Sequence, residues 1–318
     1  MKRQLFIAIV LIVSLAAAGC NAPTATPQPP ATVTPLPPAT ETPLPEPTAT
    51  VSANLTLEQV KNAHYSFDEG GSTLSFTLVN GTYQNGTDTA APDFYQATMS
   101  DKVAFGDLNG DGVGDAAVSI GINTGGTGVF EYVVALVSEN GQPVEAGYYF
   151  VDDRARLDSL SIVDKKIVAD AMVHGPNDPM CCPTLPVEAT LELSLDGSMN
   201  LLRTSQSSQT PSGDVRKITI TSPEQGAVVS NPCTLKGGVT IAPFENNLVY
   251  KVYDPKMKEL ASGPLMVNAP DMGAPGTFEL SLDLASTGYT GQIFVTISDL
   301  SAADGSTLAM DSIVLTLK

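Results

Sequence analysis

Apolar and polar residues alternate along most of the chain with a period of two. From Val187 to Leu195 every second residue is apolar, and the residues between are polar. The same alternation recurs over 278–284, 293–297 and 313–317. Because successive strand residues point to opposite faces of a sheet, this pattern predicts half-buried antiparallel strands. The sequence therefore predicts an all-β protein.

Turn residues separate these strands closely enough for hairpins. Asn140–Gly141, Asp164–Lys165 and Asp196–Gly197 carry the residue types that tight hairpin turns require. The glycine-rich segment 125–128 is also predicted to be a hairpin connection. It lies between two predicted strands and lacks the helix and lysine that follow a phosphate-binding loop.

One short helix and one domain boundary interrupt the β pattern. Thr56 and Gln59 have the spacing of a capping box, which predicts a helix over 56–64. The polar tract 205–214 breaks the alternation and is interpreted as the boundary between two β domains. The predicted organisation is a β-rich module over 55–203 with one short helix, a linker over 204–215, and a second β domain over 216–318.

The N-terminus has the layout of an export signal. Two basic residues precede an apolar run from Leu5 to Leu15, followed by small residues and Cys20. The run is too short to span a bilayer. The segment resembles the lipobox of bacterial lipoproteins, which implies a signal peptide over 1–19, a lipid on Cys20 and a membrane anchor on the extracytoplasmic side. The alternative is an ordinary secretory signal with an incidental cysteine.

Residues 20–54 are rich in proline and threonine. Ten of the chain's 24 prolines lie between Pro23 and Pro47, and such a segment cannot bury a core. Polyproline II rises ~3.1 Å per residue, so this segment spans at most about 100 Å. It is predicted to be a disordered stalk between the anchor and the β domains.

The chain is acidic, with 16 basic and 34 acidic residues. Removing the two basic residues of the signal leaves a net charge of about −20 for the mature form. Phosphate binding needs a basic face, which excludes nucleic acid as a partner. The chain also has no tryptophan and only two histidines, His64 and His174, so it offers little material for catalysis.

The segment from Asp107 to Asp115 has the spacing of a cation-binding loop. Oxygen donors fall at loop positions 1, 3, 5, 7 and 9, and a glycine falls at position 6. The candidate calcium ligands are Asp107, Asn109, Asp111, the carbonyl of Val113, and Asp115. Position 12, which is a bidentate glutamate in an EF-hand, is Val118, and 116–120 is predicted to be a strand.

Residues 105–118 resemble the calcium-binding hairpin loops of integrin-type FG-GAP repeats, in a single copy. The resemblance implies a structural Ca²⁺ ion, and the missing twelfth ligand predicts a weak site. The alternative is a turn without metal, because Asp, Asn and Gly also form turns by themselves.

The loop from His174 to Thr184 contains the adjacent cysteines Cys181 and Cys182. A vicinal disulfide would rigidify the loop, although neighbouring α-carbons lie closer than in most disulfides. Four alternatives stay open: a bond from one of them to Cys233, zinc bound with His174, a cysteine nucleophile served by His174, or free thiols.

Two further resemblances concern whole domains. Residues 55–203 resemble an uncharacterised bacterial envelope lipoprotein module. The C-terminal domain contains a characteristic series of segments at 218–223, 226–232, 244–245, 248–254, 276–278 and 298–306. In this order and spacing they resemble the Gmad2 immunoglobulin-like domain of sporulation and germination proteins, which implies a seven-stranded β-sandwich without catalytic residues.

Two functional classes follow from these observations. The first is a non-enzymatic, lipid-anchored envelope protein whose β domains bind an unidentified envelope protein, cell wall or glycan. The alternative is an envelope enzyme or thiol redox protein centred on His174, Cys181 and Cys182. A deep pocket that joins the cysteine loop to the calcium loop would favour the second class.

Overall fold

The computed structural model describes residues 53–69, 72–194 and 201–318. The predicted signal peptide, Cys20, nearly all of the stalk, and the turn at Asp196–Gly197 lie outside the described residues. Residues from Ala49 onward belong to one compact unit. Within the described ranges, no helix is both long and apolar enough to cross a membrane.

The prediction of an almost wholly β protein is confirmed. The first part of the chain contains α1 (Leu57–Val60), β1 (His64–Glu69), β2 (Ser72–Thr77), β3 (Thr82–Asn85), β4 (Tyr95–Gly106), β5 (Asp115–Asn123), β6 (Phe130–Glu139), β7 (Gln142–Asp153), β8 (Arg156–Val163), β9 (Lys166–Val173), β10 (Leu185–Leu193) and β11 (Leu201–Gln209). The second part contains β12 (Val215–Arg216), β13 (Ile218–Ser222), β14 (Val228–Val229), β15 (Cys233–Val239), β16 (Asn247–Tyr253), β17 (Glu259–Asn268), β18 (Gly276–Leu282), β19 (Gly291–Leu300) and β20 (Thr307–Leu317).

The predicted helix forms with its capping box. The Thr56 hydroxyl accepts the N–H of Gln59 at 3.3 Å, and the Gln59 side chain accepts the N–H of Thr56 at 2.9 Å. The helix ends at Val60, four residues earlier than predicted, because β1 begins at His64. The Tyr65 hydroxyl donates to the carbonyl of Val60 at 2.7 Å and ties the helix end to this strand.

A five-stranded antiparallel sheet, in the order β3-β4-β5-β6-β7, lies at the centre of the N-terminal module. Its middle strands, β5 and β6, are buried on both faces. Val134 and Leu136 pack with the helix and the β1–β2 hairpin, whereas Val133 and Ala135 pack against β8 to β11. Burial on both faces explains why 132–137 is a continuous apolar run instead of an alternating one.

The predicted hairpin turns form where the structure describes them. Asn140 and Gly141 join β6 to β7, and Asp164 and Lys165 join β8 to β9. All four have positive φ, between 49° and 77°, which is the geometry of tight hairpin turns. The segment 125–128 connects β5 to β6, as predicted.

The C-terminal residues form the predicted β-sandwich. Seven strands of five or more residues lie within the fully described segment 216–318, and their apolar faces enclose one core. β17 belongs to both sheets, because it pairs with β16 over most of its length and with β18 at its end. Cys233 is buried in this core and unpaired.

The predicted linker over 204–215 is wrong for residues 204–209. These residues lie in β11, which pairs with β10 on one side and, through Ser205 and Gln206, with β20 on the other. A continuous sheet path therefore runs from β8 in the N-terminal module into the C-terminal sandwich. The polar composition of β11 hid this strand, since its backbone hydrogen bonds and not its side chains carry the pairing.

Candidate functional site

The loop 107–115 connects β4 to β5 and is built from side-chain-to-backbone turns. Asp107 accepts the N–H groups of Gly110 at 2.5 Å and Gly112 at 3.0 Å. Asn109 accepts from Asp111 at 3.0 Å, and Asp111 accepts from Val113 at 2.8 Å. These bonds hold the loop's own backbone in its tight turns.

Asp115 has a different role in the same loop. Its side chain is fully buried and accepts the backbone N–H groups of Leu108 at 2.8 Å, Asn109 at 3.3 Å and Ser138 at 2.9 Å. Burial nevertheless raises the pKa of this carboxyl above its ordinary value. Asp115 therefore fastens the start of the loop to the end of β6.

The described residues fit a calcium ion only in part. Each oxygen of Asp107, Asn109 and Asp111 that accepts one N–H keeps a second lone pair for a cation. Asp115 differs because it is fully buried, with Oδ2 accepting two N–H groups and Oδ1 accepting one, so its carboxylate is less accessible to a cation than the other three side chains. Among the described residues, no three Asp, Glu, His or Cys side chains are grouped so as to hold a metal ion.

Residues outside the loop also contact it. Asn54 accepts the N–H of Gly114 at 2.7 Å, and Ala53 accepts from the Ser138 hydroxyl at 2.6 Å. Residues 53 and 54, predicted as the end of the stalk, are therefore attached to the module. On the other side, Lys165 lies against Gly110, where an added Cβ would collide with the ammonium group. A cation in the loop would have to coexist with this positive charge.

The loop 174–184 carries the two adjacent cysteines on the surface. Cys181 and Cys182 are joined by a disulfide, with an S–S distance of 2.23 Å, and both are exposed. The alternative bond to Cys233 is not formed. Asp178 organises the loop by accepting the N–H of Gly175 at 2.8 Å and both the N–H and the hydroxyl of Thr184, at 2.6 and 2.7 Å.

His174, at the start of this loop, is held by a carboxylate that sequence reasoning missed. Its Nδ1 lies 2.8 Å from Oδ2 of Asp152, and its backbone N–H donates to the same oxygen at 2.5 Å. Asp152 lies 22 residues earlier, in β7, so no local spacing signals the pair. Only the antiparallel packing of the sheets brings the two residues together.

The alternative enzyme or redox site was centred on His174, Cys181 and Cys182. Within the described ranges, Nε2 of His174 is buried and has no hydrogen-bond partner, so no nucleophile is bonded to this imidazole. The cavity that His174 lines, about 240 Å³, includes no residue of the loop 107–115. A pocket joining the cysteine loop to the loop 107–115 would have favoured an enzyme, and this cavity does not join them.

A comparison with known protein families found a match in the sandwich. Residues 217–306 match the family model of Gmad2, the immunoglobulin-like domain of bacterial spore germination. The C-terminal part of the chain is similar to this family. This confirms the resemblance seen in the C-terminal part of the sequence. The Gmad2 family is not enzymatic. None of the curated proteins compared with the chain matches it.

Proposed function

We propose that this protein is a lipid-anchored bacterial envelope protein that binds an extracytoplasmic partner without catalysing a reaction. The Gmad2 match over 217–306 is the observation that carries this proposal, since it gives a bacterial surface-associated, non-enzymatic domain. The geometry around His174 supports it, because the imidazole has no bonded nucleophile among the described residues.

The anchor is the part of the proposal that follows from Cys20. Radiolabelled palmitate should enter the wild-type protein and should not enter the Cys20→Ala variant. A matched control is Cys233→Ala, which removes a buried thiol far along the chain and should leave labelling unchanged. Equal labelling of wild type and Cys20→Ala would contradict the anchor, and so would an unlabelled wild type.

Binding is tested by capture from envelope extract. The full chain, immobilised through a C-terminal tag, should retain a specific wall component or envelope protein. A matched bait is the same chain truncated before the Gmad2 domain, and it tests whether that domain is needed for capture. Identical retention by the two baits would show that the immunoglobulin-like domain is not the binding element.

We also propose that Ca²⁺ stabilises the loop 107–115 through Asp107, Asn109, Asp111 and the carbonyl of Val113. These groups are partly or fully exposed, as expected for a weak site. With a dissociation constant of roughly 10⁻⁴ to 10⁻³ M, 1 mM calcium would stabilise the module by about 0.4–1.4 kcal/mol.

The calcium proposal predicts a higher melting temperature in 1 mM calcium than in chelator. Asp111→Ala should abolish this difference, because Asp111 is an exposed proposed ligand with few other contacts. Magnesium at the same concentration controls for ionic strength. A wild-type melting temperature that does not respond to calcium would leave the loop as a metal-free turn.

A further inference from the structure

A cleft lies where the N-terminal module meets the Gmad2 domain. One cavity of about 240 Å³ has walls from β7, β9, β10, β11 and the turn before β20. A second cavity of about 430 Å³ lies on the Gmad2 side and shares Tyr149, Arg203 and Thr307 with the first. The two cavities are therefore neighbours with a shared wall, and we call them together the cleft; the larger cavity has the size of a small-molecule site.

Arg203 lies in the wall common to both cavities and is held in place. Its Nη1 donates to Gln206 at 2.6 Å, its Nη2 donates to Thr307 at 3.1 Å, and its guanidinium carbon lies 5.6 Å from the ring centroid of Tyr149. Gln206 is itself fixed by the carbonyl of Thr307 at 2.6 Å. These partners orient the guanidinium at the domain junction.

No described carboxylate forms an ion pair with the guanidinium, although Asp152 and Asp304 line the same cavity. Among the described residues, no carboxylate oxygen lies within 4 Å of Arg203, whereas Arg216, the other junction arginine, is paired with Asp299 at 2.6 Å. Two of the five guanidinium N–H groups suffice for Gln206 and Thr307. The donors that remain, together with the positive charge, suit an anionic group in the cleft.

His174 also lines the smaller cavity, and its ring contains a buried polar atom without a partner among the described residues. Because Asp152 binds Nδ1 and fixes the ring, Nε2 faces away from this carboxylate, and it is the buried atom without a partner. An unpaired buried polar atom costs free energy until something bonds to it. A hydroxyl, amide or carboxyl group of a bound molecule would satisfy it.

We propose that this cleft binds a small molecule with a single carboxylate, which pairs with Arg203 while a neighbouring polar group of the molecule bonds to Nε2 of His174. A phosphate or other dianion fits less well, since Asp152 and Asp304 also line the cavity and only one unpaired cation faces them. Apolar side chains such as Val187 and Leu191 and the ring of Tyr149 would contact the body of the molecule. The inference rests on the proposed envelope function for the choice of wall-derived probes.

The probes separate the two sources of such a carboxylate, an acidic sugar and a peptide C-terminus. N-acetylmuramic acid and N-acetyl-alanyl-alanine are titrated by calorimetry into the full chain in detergent, with N-acetylglucosamine as the uncharged counterpart of the first. At least one acid should bind, and N-acetylglucosamine should bind about tenfold more weakly or not at all. Absence of saturable binding of both acids up to about 10 mM would overturn the proposal.

Variants assign the binding to this cleft. Arg203→Met keeps most of the side-chain stem and should weaken acid binding about tenfold or more, and Arg203→Lys should restore part of it. His174→Asn should weaken it several-fold. Arg156→Met, which removes an exposed arginine paired with Asp158 outside the cleft, is the matched control and should have no effect. Thermal melts of the variants show whether the junction stays folded.

Two outcomes separate this inference from the proposed function. If folded Arg203→Met binds the acids as wild type does, the cleft is not their site and the inference is wrong. If both Arg203→Met and wild type still capture an envelope partner while neither binds the acids, the proposed function stands and only the cleft assignment fails.

Discussion

Replacing Asp115 by alanine should destabilise the N-terminal module strongly even when no metal is present. The carboxylate accepts three backbone N–H groups, from Leu108, Asn109 and Ser138, in a site with 0% exposure. Each buried donor left unpaired costs about 1–3 kcal/mol. The substitution also removes a desolvated charge, which offsets part of this cost. We therefore expect the free energy of unfolding to fall by about 3 kcal/mol, near the lower limit for three lost hydrogen bonds.

The assay is thermal unfolding in excess chelator near neutral pH. For units of about 150–250 residues, 1 kcal/mol corresponds to about 2–4 °C, so Asp115→Ala should melt about 6–12 °C below wild type. Asp111→Ala is the matched control from the same loop, since Asp111 is exposed and accepts one backbone N–H, from Val113. It should shift the melting temperature by less than about 2 °C.

Two results would refute this reasoning about Asp115. A melting temperature for Asp115→Ala within about 2 °C of wild type would show that water or local rearrangement satisfies the three donors. Equal losses in Asp115→Ala and Asp111→Ala would show that the loop's stability depends on its total charge and not on the buried hydrogen bonds.

Three further predictions concern other parts of the chain. Burial raises the pKa of Glu131 above its ordinary value of 4.5, so the protonated side chain favours folding below that pH, and this contribution is lost as pH rises through the folded pKa. In urea titrations, the free energy of unfolding of Glu131→Gln should therefore exceed that of wild type by about 1 kcal/mol at pH 7 and should equal it at pH 4. Phe67 is fully buried among aromatic rings with centroids 4.9–5.8 Å away, and Phe67→Ala should cost about 3–5 kcal/mol, whereas a loss below about 1 kcal/mol would contradict that packing. In denaturant without reductant, iodoacetamide should modify Cys233 but neither Cys181 nor Cys182, and a peptide crosslinked through Cys233 in the mass spectrum would exclude the vicinal disulfide.

Local patterns were sufficient to predict most of the secondary structure. Alternation over 187–193 follows directly from one buried face, and the structure buries Val187, Ala189 and Leu191 on that face. The capping box at Thr56 and the turns at Asn140–Gly141 depend only on residues a few positions apart. These signals are local, so a single sequence contains them in full.

Contacts between distant strands could not be predicted in the same way. The Asp152–His174 pair joins two strands through tertiary packing, and neither residue is unusual for its own segment. The role of Asp115 also depends on a distant partner, because Ser138 lies 23 residues away. The spacing of loop oxygens suggested a ligand at this position, whereas the surrounding strands determine that its carboxylate points inward.

The error over 204–209 and the proposed cleft have one physical cause. A strand whose side chains are polar on both faces lacks the alternation that marks a strand in sequence, yet its backbone pairs as well as any other. In β11 the polar side chains remain available for the domain junction, where Arg203 and Gln206 bond to Thr307. An apolar strand at this position would have been predicted correctly, but it would have sealed the junction with packed side chains. The proposed cation, Arg203, directly precedes the misassigned tract, and Gln206 within that tract accepts its hydrogen bond.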